Sequence, residues 1–220
     1  DTRKDSDGGA WRKRTQHTSW YNETLNTSTR GSRKEFPAVA VIVAETSKVT
    51  IYDGDDPDLP MWMVFNRSSS SSSSSWTFLG GTPDSFLTSV SGLNGLFVVG
   101  TNQTDASGFA ATIILNFISE KVSIRYFNGD FTPSNDAFVN RNLVQSFVGS
   151  SSGAIISGLT NDVSMTVLPN APIDDATGLP VPTIAVATGG GVSVIKDDGT
   201  VVDLNVVNRP YSSVDFTSDN

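Results

Sequence analysis

From Phe36 onward, apolar and polar residues alternate in short runs broken by Gly, Pro, Asn and Asp. Ala38–Ala44 is apolar and rich in β-branched residues, Lys48–Asp53 alternates with period two, and Met61–Phe65 is a third run. Runs of this length between turn residues predict strands, since successive strand side chains face opposite ways. The three together predict a meander. A second group comprises Phe86–Asn94, Leu96–Val99, Phe109–Phe117 and Lys121–Phe127. It is punctuated by Asn94-Gly95 and Asn128-Gly129. Asn-Gly suits a type I′ hairpin turn, whose two central residues need positive φ. A third group starts with Val163–Leu168 and crosses a connection holding Pro169, Pro172, Pro180 and Pro182. It continues with Thr183–Thr188, the turn Gly189–Gly191, Val192–Ile195, the turn Asp197–Gly199 and Thr200–Leu204. No long window keeps a helical period free of Gly or Pro, residues 136–148 coming closest. The chain is therefore expected to be all-β.

The order of elements repeats. Pro37-Ala-Val-Ala-Val-Ile42 resembles Pro182-Thr-Ile-Ala-Val-Ala187, and each is followed by a turn and a further alternating run. A four-stranded antiparallel unit used repeatedly is the blade of a β-propeller. Residues 38–78, 85–127 and 162–204 predict three such blades. Propellers close with about 4–8 blades, so three form an incomplete ring or part of something larger. The expected organisation is an N-terminal arm at 1–37 and blades at 38–130 with a Ser-rich loop at 68–75. A connecting region at 131–161 and a further blade and tail at 162–220 complete it.

Composition narrows the chemistry. The chain of 220 residues has no Cys and a single His, His17. Disulfides, thiolate metal sites and multi-His zinc sites are therefore excluded. No apolar stretch approaches the roughly 18 residues of a membrane helix. Four Asn-x-Ser/Thr sequons, at Asn22, Asn26, Asn66 and Asn102, matter only in a secretory setting. The net charge is −8, unevenly spread. Residues 1–37 hold eight basic and five acidic residues, leaving the body strongly acidic. Basic residues beside Trp11, Trp20 and Tyr21 predict an arm that docks on an acidic surface. An acidic body argues against nucleic acid as partner.

Clusters with catalytic potential are few. Asp53, Asp55, Asp56 and Asp58 place four carboxylates at a strand exit, where Ca²⁺ is the metal such oxygen ligands would suit. The EF-hand pattern is absent, and a solvated acidic turn is the simpler reading. Asp174-Asp175 and Asp197-Asp198 sit in turn contexts that Asp favours. Gly189–Gly191 lies between strands, not before a helix, and so is a hairpin turn and not a phosphate loop. His17 with Ser19 and Glu23 lacks the spacing and company of a triad. No catalytic residue is expected.

Three stretches resemble large virion proteins of marine bacteriophages, particularly those infecting cyanobacteria. They are Asp1–Glu23, Val49–Phe65 and Pro180–Gly199, which together spread the resemblance over most of the chain. That family is long and propeller-like, often with a lectin-like sandwich domain beyond, and offers no catalytic residues to carry over. The resemblance implies a non-enzymatic structural part of a virion tail or fibre, assembling with other virion proteins and with copies of itself. Trp11, Arg12, Lys13, Arg14 and Trp20 are the candidate partner-binding residues, Arg and Trp being the types that dominate interfaces. The alternative is a host-surface glycan-binding module using Trp62, Trp76 and the acidic loop.

Overall fold

The computed structural model describes residues 14–67, 75–80, 85–103, 110–175, 178–204 and 209–217. Among the described residues, fourteen strands fall into three antiparallel sheets. The first is the expected meander of β1 (Ala40–Glu45), β2 (Lys48–Asp53) and β3 (Met61–Asn66). Its register shifts between Ile51, opposite Met63, and Tyr52, opposite Met61, leaving Trp62 as the extra residue of a β-bulge. The bulge is what turns both Trp62 and its neighbour Met63 into the core.

The middle sheet follows the order β4-β10-β9-β8-β7-β6-β5. Its body is a six-stranded meander: β5 (Ser85–Leu93), β6 (Leu96–Gln103), β7 (Thr112–Asn116), β8 (Lys121–Tyr126), β9 (Gly129–Pro133) and β10 (Gln145–Ser150). The two-residue β4 (Ser75–Trp76) pairs with β10 at the edge. Asn94 and Gly95 take φ of 52° and 77°, the two positive values that a type I′ turn demands. The group does not stop at four strands as its pattern predicts. Residues 131–161, read as a connection, supply most of β9 and all of β10. Gly129 and Pro133 mask β9 by flanking it with breakers, but Pro133 is its last residue, where a missing N–H is tolerated.

The third sheet is β11 (Thr160–Thr166), β12 (Thr183–Thr188), β13 (Gly191–Ile195) and β14 (Val201–Leu204), in sequence order. Here the four-stranded expectation and the observed sheet agree. Among the described residues the three sheets close no barrel or ring.

Side-chain alternation stacks these sheets. In β6, Phe97 and Val99 enter one apolar core and Val98 enters another. In β7, Ile113 and Leu115 join the first core while Ile114 packs against the second. The first sheet covers one face of the middle sheet through Val49, Ile51, Met63 and Phe65. The third covers the opposite face through Val163, Ile184, Val186 and Ile195. Gly100 permits the latter approach, since a Cβ there would lie 2.7 Å from Thr160 Cγ2.

Residues 14–37 belong to the first core. Trp20 is fully buried and meets Trp62, Phe36 and Phe117 edge to face. Residues 27–31 close the outer edge of β3: Val64 N–H donates to Thr29 O at 2.9 Å and Gly31 N–H to Trp62 O at 3.0 Å.

Candidate interaction surfaces

The residues expected to meet a partner separate into three fates. Trp11, Arg12 and Lys13 lie outside the described residues. Arg14 is half-buried, its guanidinium against the 178 turn, where a Cβ on Gly178 would collide with Nη1. Trp20 corrects the expectation outright. It has no exposed surface, and its Nε1 donates to Phe117 O at 2.6 Å. An aromatic residue near basic ones reads as an interface anchor in sequence, but the bulged Trp62 and Phe117 leave a site that a large ring fills.

Behind Trp20 lies an ionic node. Glu23 sits between Arg30 and Arg141, all three inside the protein. Arg141 Nη1 and Nη2 donate to the two Glu23 oxygens at 2.6 and 3.1 Å, and its remaining donors reach the carbonyls of Val64, Phe138 and Thr29. Arg30 donates to the carbonyls of Arg33, Trp62 and Lys34, and its guanidinium lies 4.5 Å from the Trp62 ring centroid. Arg30 Nε is 2.9 Å from Glu23 Oε1, near enough for an ion pair but without hydrogen-bond alignment. Burial, reinforced by the like charge of Arg141 and opposed by Glu23, lowers the Arg30 pKa to about 10. The node is a staple between the 14–37 segment, β3 and the turn before β10.

The acidic loop is a clasp. Arg33 Nη1 contacts Asp53 at 2.7 Å and Asp55 at 2.8 Å. Asp55 also accepts the N–H groups of Ala38 and Val39. Partial burial would raise its pKa, but these donors and Arg33 outweigh that and lower it. Asp56 accepts the N–H of Asp58 within the turn. Among the described residues no group of three or more carboxylates or imidazoles is placed to hold a metal. Of the four carboxylates proposed for Ca²⁺, Asp53 and Asp55 are thus engaged by an arginine. Sequence reading missed this because Arg33 lies 20 residues before Asp53, in what passed for an arm.

Trp62 and Trp76 are 1% and 2% exposed, which removes the aromatic faces assigned to sugar binding. Asp198 caps a hairpin tip by accepting from Thr200 N–H and hydroxyl, and Gly189–Gly191 is the β12–β13 turn. Ser19 donates to Glu120 and Glu23 is held by the arginines, so His17, itself exposed, has neither as a partner in a triad. A polar trio absent from the sequence reading lies on β8 and β9. Ser123 donates to Asp130 at 2.8 Å and accepts from Arg125 Nε at 2.9 Å. Burial raises the Asp130 pKa, with Ser123 and Arg125 only partly offsetting it. A cleft of about 40 Å³ beside Asn94 and Pro180 is far below ligand size.

Uncovered apolar rows are the remaining feature. Val39, Val41 and Val43 are 43%, 40% and 39% exposed on one side of the first sheet. Val202 and Leu204 are 47% and 55% exposed on the third. Each row faces away from the middle sheet. Alternation in 38–44 is the sequence signal for the first row, once the inward partners Ala40, Ile42 and Ala44 are known.

Comparison with protein-family models, with curated proteins and with solved structures finds no match to the chain. Among the described residues no helix is long and apolar enough to cross a membrane.

Proposed function

We propose that the chain is a non-enzymatic structural component of a bacteriophage virion, in the tail or a fibre, that acts through assembly surfaces. Its sheets would serve as propeller-like blades in a larger body. The observation that carries the reading is the exposed apolar side chains along the edges of the two outer sheets, Val39, Val41 and Val43 beside β2 and Val202 and Leu204 on β14. Solvent-exposed rows of large apolar side chains mark contact surfaces more often than chance decoration. The polar clusters point the same way, since the buried node and the acidic clasp are each consumed by internal pairing. The phage setting rests on the sequence resemblance. Glycan recognition keeps no aromatic candidate, because both of its tryptophans are interior.

Fractionation of a producing culture on a density gradient tests this reading. The chain should co-sediment with intact particles, and antibody against it should label their tails or fibres. A chain found only in the soluble fraction, with unlabelled particles, would refute the proposal.

A further inference from the structure

We propose that Asn128 is the site of a spontaneous covalent modification, closing a ring onto Gly129 with loss of ammonia and reopening with water to isoaspartate or aspartate.

The sequence marks Asn94-Gly95 and Asn128-Gly129 alike, as hairpin turns, but the fold treats them differently. Asn94 and Gly95 are the two central residues of their turn, and Asn94 is half-buried with φ of 52°. Its Nδ2 donates to Pro180 O at 2.9 Å. At the second site Tyr126 pairs with Gly129, so the turn consists of Phe127 and Asn128, and Gly129 already opens β9. Asn128 is exposed there, and its side-chain amide has no hydrogen-bond partner among the described residues.

Asp-Gly pairs reach the same ring by loss of water, and the described residues hold two of them. Asp53 is gripped by Arg33 at 2.7 and 2.8 Å, and the Gly54 N–H donates to Val39 O. Asp198 accepts from the N–H and hydroxyl of Thr200, and the Gly199 N–H donates to Lys196 O at 2.9 Å. Of the four side chains that precede a glycine in this way, only that of Asn128 is unrestrained.

The chemistry needs no catalyst. The Gly129 nitrogen bonds to Asn128 Cγ, the Cγ–Nδ2 bond breaks, and the displaced proton leaves with ammonia. Glycine suits this attack because it has no side chain to obstruct it. Water then opens the ring on either side. Cleavage at Cγ gives aspartate, and cleavage at the main-chain carbonyl gives isoaspartate, with one more methylene in the backbone at the entry to β9. Either product adds a negative charge to a chain already at −8. The isoaspartate makes the aged chain a methyl acceptor for an isoaspartyl methyltransferase.

Incubation of the purified chain at mildly alkaline pH tests the proposal, with peptide mass spectrometry and labelled methyl transfer as readouts. In the folded chain, a gain of one dalton should appear first in the peptide that holds Asn128. Asn94 should lag by about fivefold, the factor by which giving up one hydrogen bond slows a rate. In urea the two sites should react alike, because both are Asn-Gly. Asn128→Gln, whose longer side chain closes the ring poorly, should abolish most methyl acceptance in the folded chain, with circular dichroism confirming that it folds. Equal rates at Asn94 and Asn128 in the folded chain overturn the proposal. So does a folded Asn128 that stays intact over the time in which the urea-unfolded chain converts it.

Discussion

Trp20 donates its indole N–H to the carbonyl oxygen of Phe117, 97 residues away, while their rings meet edge to face at 6.2 Å. One side chain thus ties the segment before the first sheet to the end of β7 in the middle sheet. What reads as an arm is a wall of the core.

Replacing Trp20 with Ala should therefore destabilise the chain by about 3–5 kcal/mol, the range for large aromatic truncations in a core. Urea denaturation followed by tryptophan fluorescence measures it. Removal of residues 1–37 should give an unfolded chain, not a folded body lacking a docking element. A cooperative thermal transition in that truncation would contradict the packing described.

Glu23→Gln should be nearly as severe, at about 3–5 kcal/mol, because it leaves Arg30 and Arg141 facing each other in the interior. Lys121→Ala makes a fair contrast. Its partner Asp136 is 3.3 Å away, but the lysine is 74% exposed, and loss of such a pair costs less than about 1 kcal/mol. Equal effects from both substitutions would show that the buried node contributes no more than a surface pair.

Asp55 and Asp130 should respond to acid in opposite senses. The Asp55 pKa is lowered in the folded chain. Its stabilising contribution is present above the ordinary carboxylate pKa of about 3.9 and is lost as pH falls through the lowered value. Asp130 is raised, so its ionisation opposes folding once pH exceeds the ordinary value, and acidification relieves that cost. Asp55→Asn should flatten the loss of stability below about pH 4, and Asp130→Asn should steepen the loss that acidification brings above that pH, where the raised carboxyl takes up its proton. Denaturation midpoints at neutral and acid pH, compared among the three chains, give the signs directly.

Gly31 holds the edge of β3 by close approach. A Cβ at this position would lie 1.9 Å from Met61 O, a backbone atom that cannot swing aside. Gly31→Ala should cost about 1–3 kcal/mol, as overpacking does. Amide exchange should quicken at Val64 and Gly31, whose N–H groups bridge the two segments. Unchanged exchange there would mean that the edge contact is not strained by the methyl group.

Much of the fold was legible because its signals are local. The meander of β1–β3, the Asn94-Gly95 turn and the four strands of the third sheet all follow from period-two alternation between turn residues. β9 and β10 escaped because Gly129 and Pro133 punctuate one, while the other alternates weakly through Ser146, Gly149 and Ser150. The candidate sites fared worse for a physical reason. Whether Trp20 anchors a partner or fills a core depends on Phe117 and Trp62, and whether Asp53 and Asp55 await a cation depends on Arg33. Those partners are distant in sequence, and residue type alone carries no record of them. The outward valines of β1 were visible as a run, but which of them face water depends on the sheet beneath.

The ionic node sets an order of events during synthesis. Glu23 and Arg30 are neighbours in sequence, whereas Arg141 follows Glu23 by 118 residues. Until the ribosome has released β7, the first segment has no Phe117 carbonyl to receive its indole, and until it has released the turn after β9 it has no second cation. Trp20 waits for Phe117, and Glu23 for Arg141, while the strands between are made. Non-local closure of this kind makes folding slow and leaves the nascent chain open to wrong pairings. The third sheet, built from adjacent hairpins, has no such delay among its own strands.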